Sequence, residues 1–146
     1  MARKRYSFEE LQERIKDGTA TEGSGFTHYA GVRVGEVRPG FCRAYIDIGD
    51  EHLNPSGYMH GGAIFTLMDV AAGYSAVYAE TDPRPVVTQC GEVHFLRPLK
   101  EGKVSAEGTI LKYGKTTAYS RVDVFSADGT LCATGSFDIF YTDGRK

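Results

Sequence analysis

Tryptophan is absent from this chain of 146 residues, proline occurs five times and cysteine three times, and neither sign of charge is in excess. With 17 Lys and Arg against 19 Asp and Glu, no basic face exists to neutralise a run of phosphates, which excludes a dedicated nucleic-acid binder. The single basic run, Arg3-Lys4-Arg5, sits at a terminus expected to fray. Cys42, Cys90 and Cys132 are odd in number, widely separated and without a CxxC, so neither a disulfide framework nor a zinc site is indicated. They read as buried reduced thiols. No charged-then-apolar leader opens the chain, and its most apolar stretch, residues 61–79, is broken by Asp69 and three glycines. The expectation is a cytoplasmic protein without a membrane segment. A length of 146 residues leaves room for one domain, 1–146, with residues 1–28 as an N-terminal helix and linker.

What is present follows two periods. Ser7 to Lys16 carries a Ser-x-x-Glu capping box, apolar residues at 8, 11 and 15, and a stop at Gly18, which predicts a short amphipathic helix. From Tyr29 onward the period becomes two. Cys42, Ala44, Ile46 and Ile48 alternate with Arg43, Tyr45 and Asp47, the pattern of a strand buried on one face, with Val32 to Val37 as hairpin partner across Pro39-Gly40. A loop from Gly49 to Met59 leads into a helical run from Gly61 to about Glu80, closed by Thr81-Asp82-Pro83-Arg84-Pro85. That run is apolar nearly all round, so it is expected to be buried on all sides at the centre of the fold. Extended segments follow at 86–96, 103–112, 116–126 and 131–141, separated by short turns that imply antiparallel neighbours. The architecture expected is α+β: a hairpin, one central helix, then a meander of long strands curving round it.

The central run holds one charged residue before Glu80. Asp69 in mid-helix has poor propensity and must be paired, hydrogen-bonded or protonated if buried; it serves either as a backbone cap or in chemistry. Gly62, Thr66, Asp69, Gly73 and Ala76 recur at spacings of three and four, a stripe of small residues that suits tight packing, a thin acyl chain or a partner subunit. His60-Gly61-Gly62 opens the helix. Two glycines there either ease a sharp turn or expose backbone N–H groups at the positive end of the dipole, where a polarised acyl carbonyl would bind.

His60 and Asp69 are nine residues apart, which at ~100° per residue sets them on opposite sides of the helix and ~13 Å apart. If both act on one bond, the second must come from another copy of the helix, so an enzymatic reading demands a site across a homodimer interface. His28, His52 and His94 lack metal-ligand spacing and read as structural, and Cys90 has no evident base. No Gly-x-Ser-x-Gly elbow, P-loop or Gly-x-Gly-x-x-Gly occurs, which removes the main signatures of serine hydrolases, NTPases and dinucleotide enzymes.

The run from Asn54 through His60-Gly61-Gly62 to Asp69 resembles the signature of hotdog-fold acyl-CoA thioesterases, particularly the phenylacetate-pathway and 4-hydroxybenzoyl-CoA thioesterase-like group. The likeness continues through Val87-Thr88, Phe95-Leu96-Arg97-Pro98, Gly102, Gly114-Lys115 and Asp128-Gly129, covering residues 30 to 141. It implies a hotdog fold that dimerises sheet edge to sheet edge, or pairs again into a tetramer, with active sites between subunits and neither cofactor nor metal. It further implies that the Gly61 N–H polarises the thioester carbonyl of a medium-chain or aromatic acyl-CoA. Asp69 of the partner would act as base or nucleophile, Asn54 and His60 would orient carbonyl or water, and Thr88 would assist that water. By the same resemblance Gly114-Lys115 and Arg97, with Lys112, would meet the nucleotide end of CoA or serve only as solvated turn cations. Gly62, Phe65, Tyr74 and Met68 would border the acyl group or belong to the core. A hotdog dehydratase or hydratase and a non-catalytic acyl-CoA-binding protein are the other readings; the first expects a differently arranged motif, and the second is disfavoured by the retained Asp69.

Overall fold

The computed structural model describes residues 5–145, so Arg3 and Lys4 of the basic run lie outside the described residues. Helix α1 (Phe8–Lys16) forms where the capping box predicts it: Ser7 Oγ accepts from Glu10 N and the Glu10 carboxylate accepts from Ser7 N. Its apolar face is held by Leu11, which has no exposed surface. A four-residue helix α2 (Phe26–Tyr29), which no sequence pattern announced, follows a series of tight turns.

The hairpin β1 (Arg33–Arg38) and β2 (Phe41–Asp47) turns at Pro39-Gly40 as expected. The long helix α3 spans Gly61–Val77 and stops short of Glu80. Tyr78 leaves helical geometry because outside partners take the terminal groups: Arg84 N donates to Val77 O and Gly40 N to Tyr78 O. Strands β3 (Val86–Phe95), β4 (Lys103–Tyr113), β5 (Thr117–Phe125) and β6 (Leu131–Tyr141) complete one six-stranded antiparallel sheet.

The sheet order is β1-β2-β4-β5-β6-β3, which corrects the simple meander. Strand β3 pairs with β6 at the far edge, because both sides of β4 are taken by β2 and β5. Residues 96–102 make the crossing, anchored by buried Leu99, whose carbonyl accepts from Met59 N. Three strand spacings are about 14 Å, within the reach of a seven-residue link at ~3.3 Å per residue.

The sheet curves round α3 and buries its Ile64, Leu67, Met68, Ala71, Ala72, Ser75 and Ala76 face. At Gly108 the strand comes so close that an added Cβ would lie 2.6 Å from the Ala71 carbonyl oxygen, so glycine sets the spacing of helix and sheet. The expectation of burial on every side is corrected here. The sheet closes round one face only, leaving Gly62 and Phe65 exposed and Thr66, Asp69 and Gly73 half-buried. Cys90 is likewise exposed on the edge strand β3, whereas Cys42 and Cys132 are buried as read. Burial pushes the Cys42 thiol far up, keeping it protonated.

Candidate active site

The first turn of α3 has four backbone donors to satisfy. His60 is the N-cap in extended conformation: its Nδ1 accepts from Gly62 N at 2.8 Å, and its carbonyl accepts from Ala63 N at 2.9 Å and Ile64 N at 3.1 Å. That leaves Gly61 N–H as the amide of this turn with no partner among the described residues. Because Nδ1 accepts, the imidazole proton sits on Nε2, on a ring exposed beside that amide.

The cap is itself fixed from behind. His60 N donates to His52 O at 2.7 Å, and the buried His52 ring accepts from Gly49 N and donates to Ala30 O. His52 is thus the structural histidine the sequence suggested. Asn54 shapes the preceding loop, its Oδ1 accepting from Ser56 N at 3.0 Å and Tyr58 N at 3.1 Å, while its Nδ2 has no partner among the described residues. Phe95, which the sequence marks only as part of the family likeness, stands beside this turn. Its ring lies 3.4 Å from where a Gly61 Cβ would sit, giving the free amide an apolar flank.

Eight residues further along α3, a rise of about 12 Å, Asp69 faces a separate cleft. Thr88 Oγ1 on β3 donates to Asp69 Oδ1 at 2.7 Å, which holds one carboxylate oxygen and leaves the other open. The cleft measures about 620 Å³, and Asp69, Thr88, Gly73, Tyr74, Val77 and Val86 lie on it. Asn54, His60, Gly61 and Gly62 do not. Within one chain, then, the carboxylate lies on this cleft and the free amide does not; His60, nine residues from Asp69, is on the opposite side of the helix. The cleft is also lined by residues of the N-terminal segment, among them Tyr6, Ser24 and Thr27, which flank the helix at 7 to 17 that the family resemblance offers as a cover for the pocket mouth. Burial pushes the Tyr74 phenol up to about 12, so it stays a neutral donor at physiological pH.

Phe65 pairs with Phe137 at 5.4 Å over Gly91, and Met68 is fully buried; neither reaches this cleft. Arg97 braces the start of β6, donating to Leu131 O at 2.7 Å. Gly114 and Lys115 line a second cleft, with Lys112, of about 420 Å³. Both backbone carbonyls of that turn accept from Arg84, a buried guanidinium that also pairs with Asp143 at 2.7 Å and lies 3.5 Å over the Tyr141 ring. Arg84 was missed because a single Arg between two prolines carries no periodic signal. Neither the Lys112 nor the Lys115 ammonium has a partner among the described residues. No group of three His, Cys, Asp or Glu among the described residues could hold a metal ion.

A curved antiparallel sheet round one helix, with a capped His-Gly-Gly turn and an aspartate two turns on, defines a hotdog protein. The chain belongs to the thioesterase superfamily, which it matches over residues 56–133, and is a thioester hydrolase. It is 30% identical over 128 residues to acyl-coenzyme A thioesterase 13 of Homo sapiens, covering 86% of this chain and 89% of that one. Among solved structures it resembles the phenylacetic acid degradation protein PaaI of Thermus thermophilus, with a TM-score of 0.72, 28% identity and 79% and 96% of the two chains covered. A Streptococcus mutans protein solved with acetyl CoA aligns with a TM-score of 0.71 at 27% identity, over 77% and 90% of the two chains.

Proposed function

We propose that the protein hydrolyses acyl-CoA thioesters, with a medium-chain or aromatic acyl group, at sites shared between two copies of the chain. The observation that supports this reading is the separation along α3 of a free Gly61 N–H at its start, which lies outside the cleft, from a Thr88-held Asp69 two turns later, which lines it. In this reading Gly61 N–H of one subunit polarises the thioester carbonyl, with His60 Nε2–H and Asn54 Nδ2–H as further donors. The open oxygen of Asp69 from the other subunit takes a proton from water as that water attacks the carbonyl carbon. The tetrahedral intermediate then breaks its C–S bond, and the proton passes to the departing thiolate, giving free acid and CoA.

The edge of β3 supports the dimer. That strand is ten residues long, at the sheet's margin, with Val87, Phe95 and Leu96 about half exposed, a profile that a lone chain normally avoids. Pairing β3 with its copy would cover these residues and bring the Phe95-flanked Gly61 of one chain toward the other chain's Asp69. Gly62 and Phe65 on the open face of α3 would then border the shared site, and two dimers could pair into a tetramer. Lys115, with Lys112, is proposed to meet CoA phosphates, on a turn made rigid by Arg84; Arg97 lies at the opposite end of the strands, beside Leu131. The acetyl CoA seen on the Streptococcus mutans protein supports a CoA ligand. No helix among the described residues is long and apolar enough to cross a membrane, and three unpaired cysteines suit a cytoplasmic location.

The test is free-thiol release from acetyl-, octanoyl-, palmitoyl- and benzoyl-CoA by wild type and Asp69→Asn. Turnover that collapses in the variant supports the reading; equal rates, or no release from any thioester by a folded dimer, overturn it.

A further inference from the structure

Resting on that reading, we infer that the N-terminal segment, residues 5–27, is the outer wall of the acyl pocket and sets the longest acyl group the enzyme accepts. The cleft beside Asp69 is lined by α3, which presents Asp69, Gly73 and Val77, by Val86 and Thr88 at the start of β3, and by Tyr6, Ser24 and Thr27 from a part of the chain that precedes the sheet altogether.

This N-terminal part is fixed in place. Leu11 and Ala20 are in the core, Gln12 Nε2 donates to Val37 O at 2.8 Å, and Tyr78 Oη donates to Tyr6 O at 2.8 Å. Between α1 and α2 the chain folds back through successive turns, Glu22 N to Thr19 O and Ser24 N to Thr21 O, with Gly23 and Gly25 in the left-handed region at φ 73° and 72°. Those turns lay residues 20–27 alongside α3. Gly73, facing them, is open: a Cβ there would meet nothing within 4 Å. A glycine in mid-helix costs helix stability, and here the missing side chain is what keeps the pocket wide.

The dimensions fix the substrate class. From Asp69 to Val77 the helix rises about 12 Å, and a three-bond backbone residue spans ~3.3–3.6 Å when extended. An acyl chain lying along this floor therefore has room for roughly ten carbons before it meets Val77 and the wall. The pocket suits a medium-chain or single-ring acyl group and rejects a long one.

Thiol release along a ladder from acetyl- to palmitoyl-CoA tests this with wild type, Gly73→Leu, Thr27→Phe and the double variant. Wild-type kcat/KM should peak near about eight to ten carbons and fall by palmitoyl. Each substitution should lower the decanoyl-to-acetyl ratio of kcat/KM by about tenfold or more. Because the two side chains would fill one space, the double variant should lose less than the product of the two losses. A Thr27→Phe ladder that superimposes on wild type, while Gly73→Leu shifts, overturns the wall and leaves the thioesterase standing. A wild type that releases no thiol overturns the thioesterase. In that case calorimetric binding of octanoyl-CoA still decides the wall, with equal affinity for wild type and Thr27→Phe counting against it.

Discussion

Thr88 on strand β3 and Asp69 on helix α3 are joined side chain to side chain, Oγ1 donating to Oδ1 at 2.7 Å across 19 residues of sequence. The bond ties the Asp69 carboxylate to the same strand that forms the sheet edge, so in the proposed dimer the position of Asp69 and that of a partner on the edge would be linked. An aspartate accepting one hydrogen bond at a known oxygen has its other oxygen aimed, which is what proton abstraction from water requires.

Removing that aim should cost rate and leave the fold intact. Thr88 is exposed, so Thr88→Val is expected to melt within a degree or two of wild type. Its kcat should drop about tenfold, the worth of one hydrogen bond to a charged group, with KM little changed. Thr88→Ser should recover most of the loss. Asp69→Asn should lose about 10²–10⁴-fold, the usual worth of a positioned base. Steady-state kinetics beside thermal melts separate these outcomes.

At the other end of α3 one substitution deletes a single hydrogen. Gly61 is the first helical residue, where proline is well tolerated, and His60 before it already has φ −60° and ψ 136°, the geometry a residue preceding proline prefers. Gly61→Pro therefore removes the free N–H with the helix kept. The expected result is a near-native melting temperature and a fall of about 10²–10³-fold in kcat, the measured scale for losing one oxyanion donor. A Gly61→Ala control retains the N–H and should stay within a few-fold of wild type, its methyl resting against the Phe95 ring.

Acid should expose the Arg84 clamp. Hydrogen bonding from Arg84 holds the Asp143 carboxyl at about 2, below the ~3.9 of an unfolded aspartate. A carboxyl lowered in the folded state stabilises it fully above the unfolded value, and that contribution disappears as pH falls from about 4 toward 2. Urea midpoints of wild type and Asp143→Asn should thus differ by a constant amount from neutral pH down to about 5 and converge below 4. The variant should also raise KM for CoA esters, because the Gly114–Lys115 turn hangs on the same guanidinium.

Parts of the structure that depend on neighbours in sequence were legible beforehand. The α1 capping box, the β1–β2 hairpin, the start of α3 and the places of Gly61 and Asp69 along it follow from spacings of two to nine residues. What depends on closure in space was not. Strand β3 reads like any half-buried strand, but its place at the far edge follows from β4 being occupied on both sides, and edge position is what exposes Cys90. Phe95 beside Gly61, Arg84 beneath Lys115 and Thr27 on the same cleft as Gly73 bring together residues 31 to 46 apart in sequence, with no local pattern to mark them.

The division of the site along α3 makes a prediction that a single-chain site cannot share. Asp69→Asn spoils the carboxylate and keeps the amide; Gly61→Pro does the reverse. If each site takes Gly61 from one subunit and Asp69 from the other, a heterodimer of the two variants contains one site with both defects and one with neither. Equal amounts, unfolded and refolded together so that chains pair at random, give half heterodimers, and the mixture should recover about a quarter of wild-type activity from two nearly inactive parents. Activity should be absent when the two are mixed without dissociation. If both groups worked from the same chain, every site in the mixture would carry one defect, and refolding together would restore nothing.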